Sequence, residues 1–218
     1  MSQNTWSDVE DYLSGRIVRP ESIFRVVAES SRAAGLPQIA VSAPEGKQLE
    51  LMARMIGARR ILEIGTLGGY SAIWLARALP KGGKLVTLEF NPRHAEVARA
   101  NIARAGFADA VEVKVGRGLD LLPTLTGPFD FVFIDANKDE YPEYFRWAVK
   151  LSRPGAVMVF DNVVRGGKVI DPASGDALVE GVRRLLDAIA AEPRVSATAI
   201  QTVGSKGYDG YVVAMVTG

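Results

Sequence analysis

The residues Ile61-Leu62-Glu63-Ile64-Gly65-Thr66-Leu67-Gly68-Gly69-Tyr70-Ser71 predict a strand, a tight turn and the start of a helix. Arg60 to Ile64 is a short, mostly apolar run, which is the pattern of a buried parallel strand. The three glycines that follow let the backbone come close to a ligand. Ser71 to Leu79 predicts a helix capped by its serine. We therefore expect the first unit of a nucleotide-binding α/β fold.

The glycine spacing and the acid before it indicate the kind of ligand. Gly65, Gly68 and Gly69 give the pattern G-x-x-G-G, which differs from the G-x-G-x-x-G of dinucleotide-binding proteins. Glu63 at the end of the strand would repel a pyrophosphate and attract a cation. A positively charged adenosine ligand fits these residues, and S-adenosylmethionine, with its sulfonium and its ammonium, is such a ligand.

Length and composition indicate an ordinary globular protein. The 218 residues suit one domain with a sizeable core, and 48% of them are apolar. A net charge of +1 gives no broad surface for nucleic acid. The absence of cysteine excludes disulfides and thiolate metal sites. The one histidine, His94, lies in a polar helical stretch, so we expect it on the solvated surface.

No targeting or membrane segment is predicted. The polar residues Met1 to Glu10 lack the apolar core of a signal peptide, and no apolar run approaches membrane-spanning length. We therefore expect a cytoplasmic protein without a membrane partner.

Strands alternate with helices through most of the chain. Strands are predicted at 60–64, 84–89, 111–115, 129–134, 156–160, 195–200 and 211–216, and the main helices at 6–14, 21–34, 45–56, 71–79, 91–105, 141–151 and 175–191. This order predicts a parallel sheet with helices on both faces. With no repeat or linker, 1–218 is expected to be a single domain, in which a helical segment, 1–43, precedes the core, 44–218, as a lid, a dimer contact or both. A turn is predicted at Pro154-Gly155, and a polar loop at 202–210.

Four acids end four of these strands, namely Glu63, Glu89, Asp135 and Asp161. Because ligands bind beyond the carboxyl ends of such strands, these acids would lie on one rim. Each alone is explained equally well as a helix cap or a turn former. Together their mutual repulsion favours cationic guests.

The acids divide into two groups. Glu89 lies 24 residues after Gly65, close to the roughly 20 expected for an acid that binds ribose hydroxyls. Glu63 is expected to face the amino acid end of the ligand. Asp135, Asp161 and Asn162 offer three oxygens and no nitrogen or sulfur, a donor set that suits Mg²⁺, and also Ca²⁺ or Mn²⁺.

Lys138 follows Asp135 by three residues. It is either a solvated loop lysine or a general base beside the metal. A phenol has a pKa of about 10 and needs a base. A metal would also stabilise the phenolate.

Three motifs carry a resemblance to a known family. Glu63-Ile64-Gly65-Thr66-Leu67-Gly68-Gly69-Tyr70-Ser71, Ile134-Asp135-Ala136-Asn137-Lys138-Asp139-Glu140-Tyr141 and Asp161-Asn162 resemble the cation-dependent O-methyltransferases of the caffeoyl-CoA and catechol type. The likeness spans about residues 36–218. It implies a class I methyltransferase fold of seven strands, with the last strand antiparallel to the rest.

The resemblance also implies ligands and residue roles. S-adenosylmethionine would be bound by Val41, Ser42, Glu63, Gly65, Thr66, Ser71, Glu89, Gly118 and Asp135. A divalent metal would be bound by Asp135, Asp161 and Asn162, and Lys138 would be the catalytic base. The acceptor would be a small phenolic or catechol-like molecule, and the protein would be a homodimer whose N-terminal helices cover the substrate.

Two segments depart from the family pattern where the acceptor should enter. Arg165 stands where the family often has a tryptophan, three residues after the metal-site asparagine. Gly204-Ser205-Lys206-Gly207-Tyr208-Asp209-Gly210 is longer and more polar than the usual Pro-Ile-Gly-Asp-Gly. These differences concern the identity of the acceptor rather than the chemistry.

Three alternative functions fit the residues of this sequence less well. A nicotinamide oxidoreductase is favoured by Glu89 but not by the glycine spacing or by Glu63. An N-methyltransferase often has Asn-Pro-Pro-Tyr or Asp-Pro-Pro-Tyr where this chain has Asp135-Ala136-Asn137-Lys138. A non-catalytic cofactor-binding module would have no use for an intact set of Asp135, Lys138, Asp161 and Asn162.

Overall fold

A computed structural model describes residues 2–218, and within them it contains seven strands and eight α-helices. The strands are β1 (Arg60–Ile64), β2 (Lys84–Glu89), β3 (Val111–Val115), β4 (Phe129–Ile134), β5 (Ser152–Asp161), β6 (Val195–Gly204) and β7 (Gly207–Val216). The helices are α1 (Gln3–Leu13), α2 (Ser22–Ala33), α3 (Ala43–Met55), α4 (Tyr70–Ala78), α5 (Pro92–Arg104), α6 (Gly118–Leu121), α7 (Tyr141–Leu151) and α8 (Ala177–Ala190). Across residues 2–218, no helix is both long and apolar enough to cross a bilayer.

All seven strands form one sheet in the order β3-β2-β1-β4-β5-β7-β6. β1 to β5 are parallel to their neighbours, and β7 runs antiparallel to both β5 and β6. The order reverses between β1 and β4, and in open α/β sheets ligands bind at such a point. The prediction of a class I methyltransferase fold with an antiparallel last strand is confirmed.

A hydrophobic core lies on each face of the sheet. Leu62, Ile64 and Ile134 contribute to one core with α7 and α8. Ile61 and Phe133, which alternate with them along the strands, contribute to the other core with α2, α3, α4 and α5. The helices therefore cover both faces, as expected for parallel strands.

The N-terminal segment joins the second core through α2. Phe24 is 2% exposed, and its ring stacks on that of Trp74 in α4 with the centroids 3.9 Å apart. α1 buries no residue, but its Gln3 donates a hydrogen bond of 2.8 Å to the carbonyl oxygen of Gly204 in β6. A role of 1–43 as a cap stays a prediction.

Three predicted details of the chain are wrong, and one short segment was not predicted. α4 begins at Tyr70 after Gly69, whose φ is +84°, so Ser71 lies inside the helix and does not cap it. β5 begins at Ser152, so Pro154-Gly155 lies within the strand and not in a turn before it. Gly155 has a φ of +79°, and the pairing of β4 with β5 shifts its register between Phe129 and Phe131.

The other two differences lie after β5. The polar segment 202–210 is not a loop, since β6 and β7 stay paired up to Gly204 and Gly207 and leave only Ser205-Lys206 as the turn. A short 3₁₀ segment at Arg165–Ile170 was not predicted, because two glycines with positive φ interrupt it.

Candidate active site

One large cavity, of about 870 Å³, lies at the carboxyl ends of the parallel strands. Most of the predicted site residues line it, namely Val41, Ser42, Gly65, Thr66, Ser71, Glu89, Gly118, Asp135, Lys138 and Asn162. Glu63 and Asp161 do not. The structure thus brings most of the residues predicted for the cofactor and the metal, and the predicted catalytic base, to one cavity, while Asp161 lines a smaller neighbouring pocket.

The strand register puts the four acids on the same face of the sheet. Glu63 pairs with Thr87, two residues before Glu89, and with Phe133, two residues before Asp135. Phe133 in turn pairs with Val159, two residues before Asp161. Because side chains alternate between faces along a strand, all four acids point the same way.

Glu89 binds the backbone of the glycine turn. Its Oε2 accepts hydrogen bonds from the N–H groups of Thr66 at 3.2 Å and Leu67 at 2.7 Å. Its Oε1 accepts one from the N–H group of Asn91 at 2.9 Å. The acid predicted to bind ribose thus also holds the turn in place.

Gly65 is the point of closest approach in this turn. Its φ is +100°, and a Cβ added there would lie 2.1 Å from the carbonyl oxygen of Asp135. Only glycine permits both that conformation and that approach. Gly65 therefore lets the turn pack directly against the end of β4.

Glu63 lies beneath the turn and is 0% exposed. Its two oxygens accept hydrogen bonds from Ser71 at 2.6 Å and from Thr87 at 2.5 Å, and the hydroxyl of Thr87 also contacts that of Thr66. Burial raises the pKa of Glu63 to about 8, against the lowering effect of those hydrogen bonds. Glu63 thus supports the floor of the cavity, whereas the sequence had suggested that it faces the ligand.

Two further predicted residues begin helices at the cavity wall. Ser42 caps α3, where it accepts from the N–H of Glu45 and donates its own N–H to the Glu45 carboxylate at 2.7 Å. Gly118 is the first residue of α6, and a Cβ there would lie 3.0 Å from the Tyr144 ring.

Lys138 and Asp135 form an ion pair in the wall of the cavity. The Lys138 Nζ lies 2.5 Å from the Asp135 Oδ1, and Lys138 is only 7% exposed. This geometry contradicts the alternative of a solvated loop lysine. Gly181 in α8 fixes the position of the lysine backbone, because a Cβ on Gly181 would lie 2.1 Å from the Lys138 carbonyl oxygen.

Asp161 is the last residue of β5 and Asn162 follows it, next to the end of β4, where Asp135 lies. Burial, and then the negative charges of Asp135 and Glu45, raises the pKa of Asp161 well above its usual range. Its charged form is thus disfavoured until a cation offsets it. Asn162 has a φ of +56°, a conformation that asparagine tolerates better than most residues.

The residues predicted to hold a metal, Asp135, Asp161 and Asn162, offer two carboxylates and one amide oxygen. Among residues 2–218, no three side chains of histidine, cysteine, aspartate or glutamate gather as a metal cluster. Oxygen donors of this kind, in an environment that penalises their negative charge, fit a hard divalent cation.

Arg165 completes the wall beyond Asn162. It lines the cavity, and its φ of +57° is unusual for a residue other than glycine. Asp209 of β7 holds this conformation, since its Oδ1 accepts hydrogen bonds of 3.0 Å from the N–H groups of both Val164 and Arg165.

Three residues of the site were missed or misplaced at the sequence level. His94 lines the cavity, with its Nδ1 3.5 Å from Glu89, and is not a solvated surface residue. The roles of Gly181 and Asp209 depend on contacts between distant segments, which no local pattern indicates. His94 alone left a signal, as it lies in the first turn of α5, the helix that follows Glu89.

Comparison with known proteins agrees with this geometry. An O-methyltransferase family model matches residues 18–210. A catechol O-methyltransferase of Mycobacterium tuberculosis is 53% identical over 210 residues, which are 96% of this chain and 95% of that protein.

Two solved structures superpose on nearly the whole chain. The O-methyltransferase from Bacillus cereus, in complex with SAH, has a TM-score of 0.97 and 54% identity, and covers 99% of this chain and 100% of that chain. The O-methyltransferase TomG from Streptomyces achromogenes, in complex with SAM, has a TM-score of 0.96 and 56% identity over all of both chains. The oxidoreductase and N-methyltransferase alternatives find no support here, and this chain belongs to the O-methyltransferase family.

Proposed function

We propose that this protein transfers the methyl group of S-adenosylmethionine to one hydroxyl of a catechol-like small molecule, with the help of a divalent cation. The observation that carries the proposal is the buried ion pair of Lys138 and Asp135, which lies in the same cavity as the glycine turn. A base, an acid able to bind a metal and a cofactor-binding turn therefore meet within reach of one small ligand.

The cofactor end supports S-adenosylmethionine. One end of the cavity is lined by the glycine turn, Ser42, Glu89 and Gly118. The relatives from Bacillus cereus and Streptomyces achromogenes were solved with SAH and with SAM, and they share more than half of their sequence with this chain. We infer that the same end of this cavity binds the same ligand.

Asp135, Asp161 and Asn162 would hold a divalent cation, Mg²⁺ first among them. The raised pKa of Asp161 supports this assignment, since a carboxylate in that position is stabilised by a nearby positive charge. When bound, such an ion would stabilise negative charge on the acceptor oxygen.

Lys138 would act on the proton of the acceptor hydroxyl. Asp135 holds the Lys138 Nζ at the cavity wall, and in its unprotonated form this amine would accept the proton of a phenol that enters the cavity. The phenolate oxygen would then attack the methyl carbon, and the carbon–sulfur bond would break with its electron pair left on sulfur. Holding oxygen and methyl in line would supply much of the rate.

We expect the enzyme to act as a cytoplasmic homodimer. Four side chains of α1 and the turn after it support a contact between copies, because Val9, Tyr12, Leu13 and Ile17 are apolar or aromatic and are 45–75% exposed. Contiguous apolar surface of this kind is typical of association sites.

The function is tested by incubating the protein with labelled S-adenosylmethionine and catechol. We expect a labelled methyl ether and one S-adenosylhomocysteine for each transfer, loss of both products in EDTA and recovery with Mg²⁺. Full turnover in EDTA would contradict the role of the metal. No methyl ether from any vicinal dihydroxyphenol would contradict the function.

A further inference from the structure

Arg165 places an unpaired positive charge at the acceptor end of the cavity. Within residues 2–218, no carboxylate lies within 4.0 Å of its guanidinium, and its side chain makes no hydrogen bond. The guanidinium always carries its charge, and its N–H groups match a carboxylate in a bidentate arrangement. A half-buried arginine left in this state has its donors available to a ligand.

The other cations of the cavity differ from Arg165 in position or pairing. Lys138 is paired with Asp135, and Lys206 at the hairpin turn donates to the carbonyl oxygen of Gln38 at 3.2 Å. Arg32 is exposed and follows Ser31, whose hydroxyl lies against Gly68 in the glycine turn. Among residues 2–218, Arg165 is the one unpaired cation of the cavity on the side of the proposed metal ligands.

The backbone holds Arg165 there at an energetic cost. A non-glycine residue at positive φ is strained, because its Cβ crowds the backbone in that conformation. The strain at Arg165 is maintained by Asp209, which also binds the N–H of Gly210 at 2.9 Å, and by the hydrogen bond from Val163 to the Gly210 carbonyl. β7 therefore fixes the segment that aims this side chain.

We propose that Arg165 selects acceptors that carry a carboxylate in addition to the two vicinal hydroxyls. This inference rests on the proposed function, and it names the class of acceptor at the same site. The catechol oxygens would lie at Asp135, Asp161 and Asn162, and the carboxylate would lie farther out, against the guanidinium.

The test compares two acceptors that differ in one charge, 3,4-dihydroxybenzoate and its methyl ester. In the wild type we expect a higher kcat/KM for the acid than for the ester. Arg165→Met keeps an unbranched side chain but removes the charge. It should lower kcat/KM for the acid about 10- to 100-fold, mainly through KM, because charged hydrogen bonds contribute roughly that much. The ester should lose less than the acid, because its carbonyl oxygen carries no full negative charge.

Two further variants separate charge from structure. Arg165→Lys should recover part of the preference for the acid, since it restores the charge but not the bidentate geometry. Lys168→Met, on an exposed lysine of the same short helical segment, should leave both acceptors unaffected.

Results against the role of Arg165 can be distinguished from results against the proposed function. Equal losses with acid and ester in Arg165→Met, or no loss with either, would overturn the selection by Arg165 while the proposed function stands. Wild-type turnover of the ester but not of the acid would do the same. Methylation of neither compound, nor of catechol itself, would contradict the proposed function instead.

Discussion

The two ends of the cavity differ in how their polar groups are satisfied. At the cofactor end, Glu63 binds Ser71 and Thr87, and Glu89 binds the N–H groups of the glycine turn. At the acceptor end, the buried Asp161 sits among like charges, and Arg165 has no partner among residues 2–218. The first end is complete within the protein, and the second is not.

This difference indicates what each end does. Fully connected buried networks hold a site in one conformation before the ligand arrives. Uncompensated charges and strained residues persist where a ligand supplies the missing interactions. We therefore expect changes at the acceptor end to alter turnover at little cost in stability, and changes at the cofactor end to alter stability as well.

The largest effect on turnover is expected for Lys138→Met. Loss of a general base lowers the rate by roughly 10²- to 10⁴-fold. The fold should survive, because the ion pair with Asp135 lies at the cavity wall rather than in a core. Initial rates and thermal unfolding would be measured together, with Lys150→Met, an exposed lysine on α7, as the control. A variant within tenfold of wild type would remove Lys138 from the chemistry.

Gly181→Ala tests how firmly α8 positions the lysine. The added Cβ meets the Lys138 carbonyl oxygen at 2.1 Å, so the backbone must move. A displacement of that size costs up to about 10²-fold in rate and about 1–3 kcal/mol in stability. Gly15→Ala, where nothing lies within 4 Å, is the control. Unchanged kcat in Gly181→Ala would show that the position of Lys138 tolerates such a shift.

Glu63→Gln, at the cofactor end, should change how the free energy of unfolding depends on pH. Because folding raises the pKa of Glu63 from its usual value near 4.5 to about 8, its contribution to stability is present below pH 4.5 and is lost as pH rises towards 8. The wild type should lose about 1.4 kcal/mol per pH unit from this group in that window, whereas Glu63→Gln should not. Urea unfolding of both proteins at pH 5 to 8 measures the difference, and parallel curves would contradict the buried, protonated state.

The parallel half of the fold was predictable because its signals are local. The bounds of β1, β2, β3 and β4 agree with the predicted bounds. β1 and β4 are buried on both faces and are mostly apolar, whereas β3, at the edge of the sheet, alternates between apolar and charged residues. The acids were predictable for a related reason: each follows such a run at or near its end, and parallel strands bring those ends together.

The rest depended on contacts between distant segments. The two strands of the last hairpin were predicted, but their inner ends, within 202–210, were expected to be a loop. These polar residues extend beyond the core, and only pairing makes them strands. Glu63 was expected at the ligand, but its depth below the turn follows from Ser71 and Thr87, which meet it only in the fold. Asp209 acts on Arg165 across 44 residues, so no sequence window contains both.

The most direct test of the account is a titration of Mn²⁺ into the protein, followed by electron paramagnetic resonance. We expect one bound ion per chain and a changed signal when catechol is added. Loss of an outer-shell partner lowers metal affinity by roughly 10-fold or more. Asp161→Asn, which changes a proposed direct ligand, should lower the Mn²⁺ affinity by more than about 10-fold. Equal Mn²⁺ affinity in wild type and Asp161→Asn, or a signal that catechol leaves unchanged, would contradict a metal that joins these acids to the acceptor.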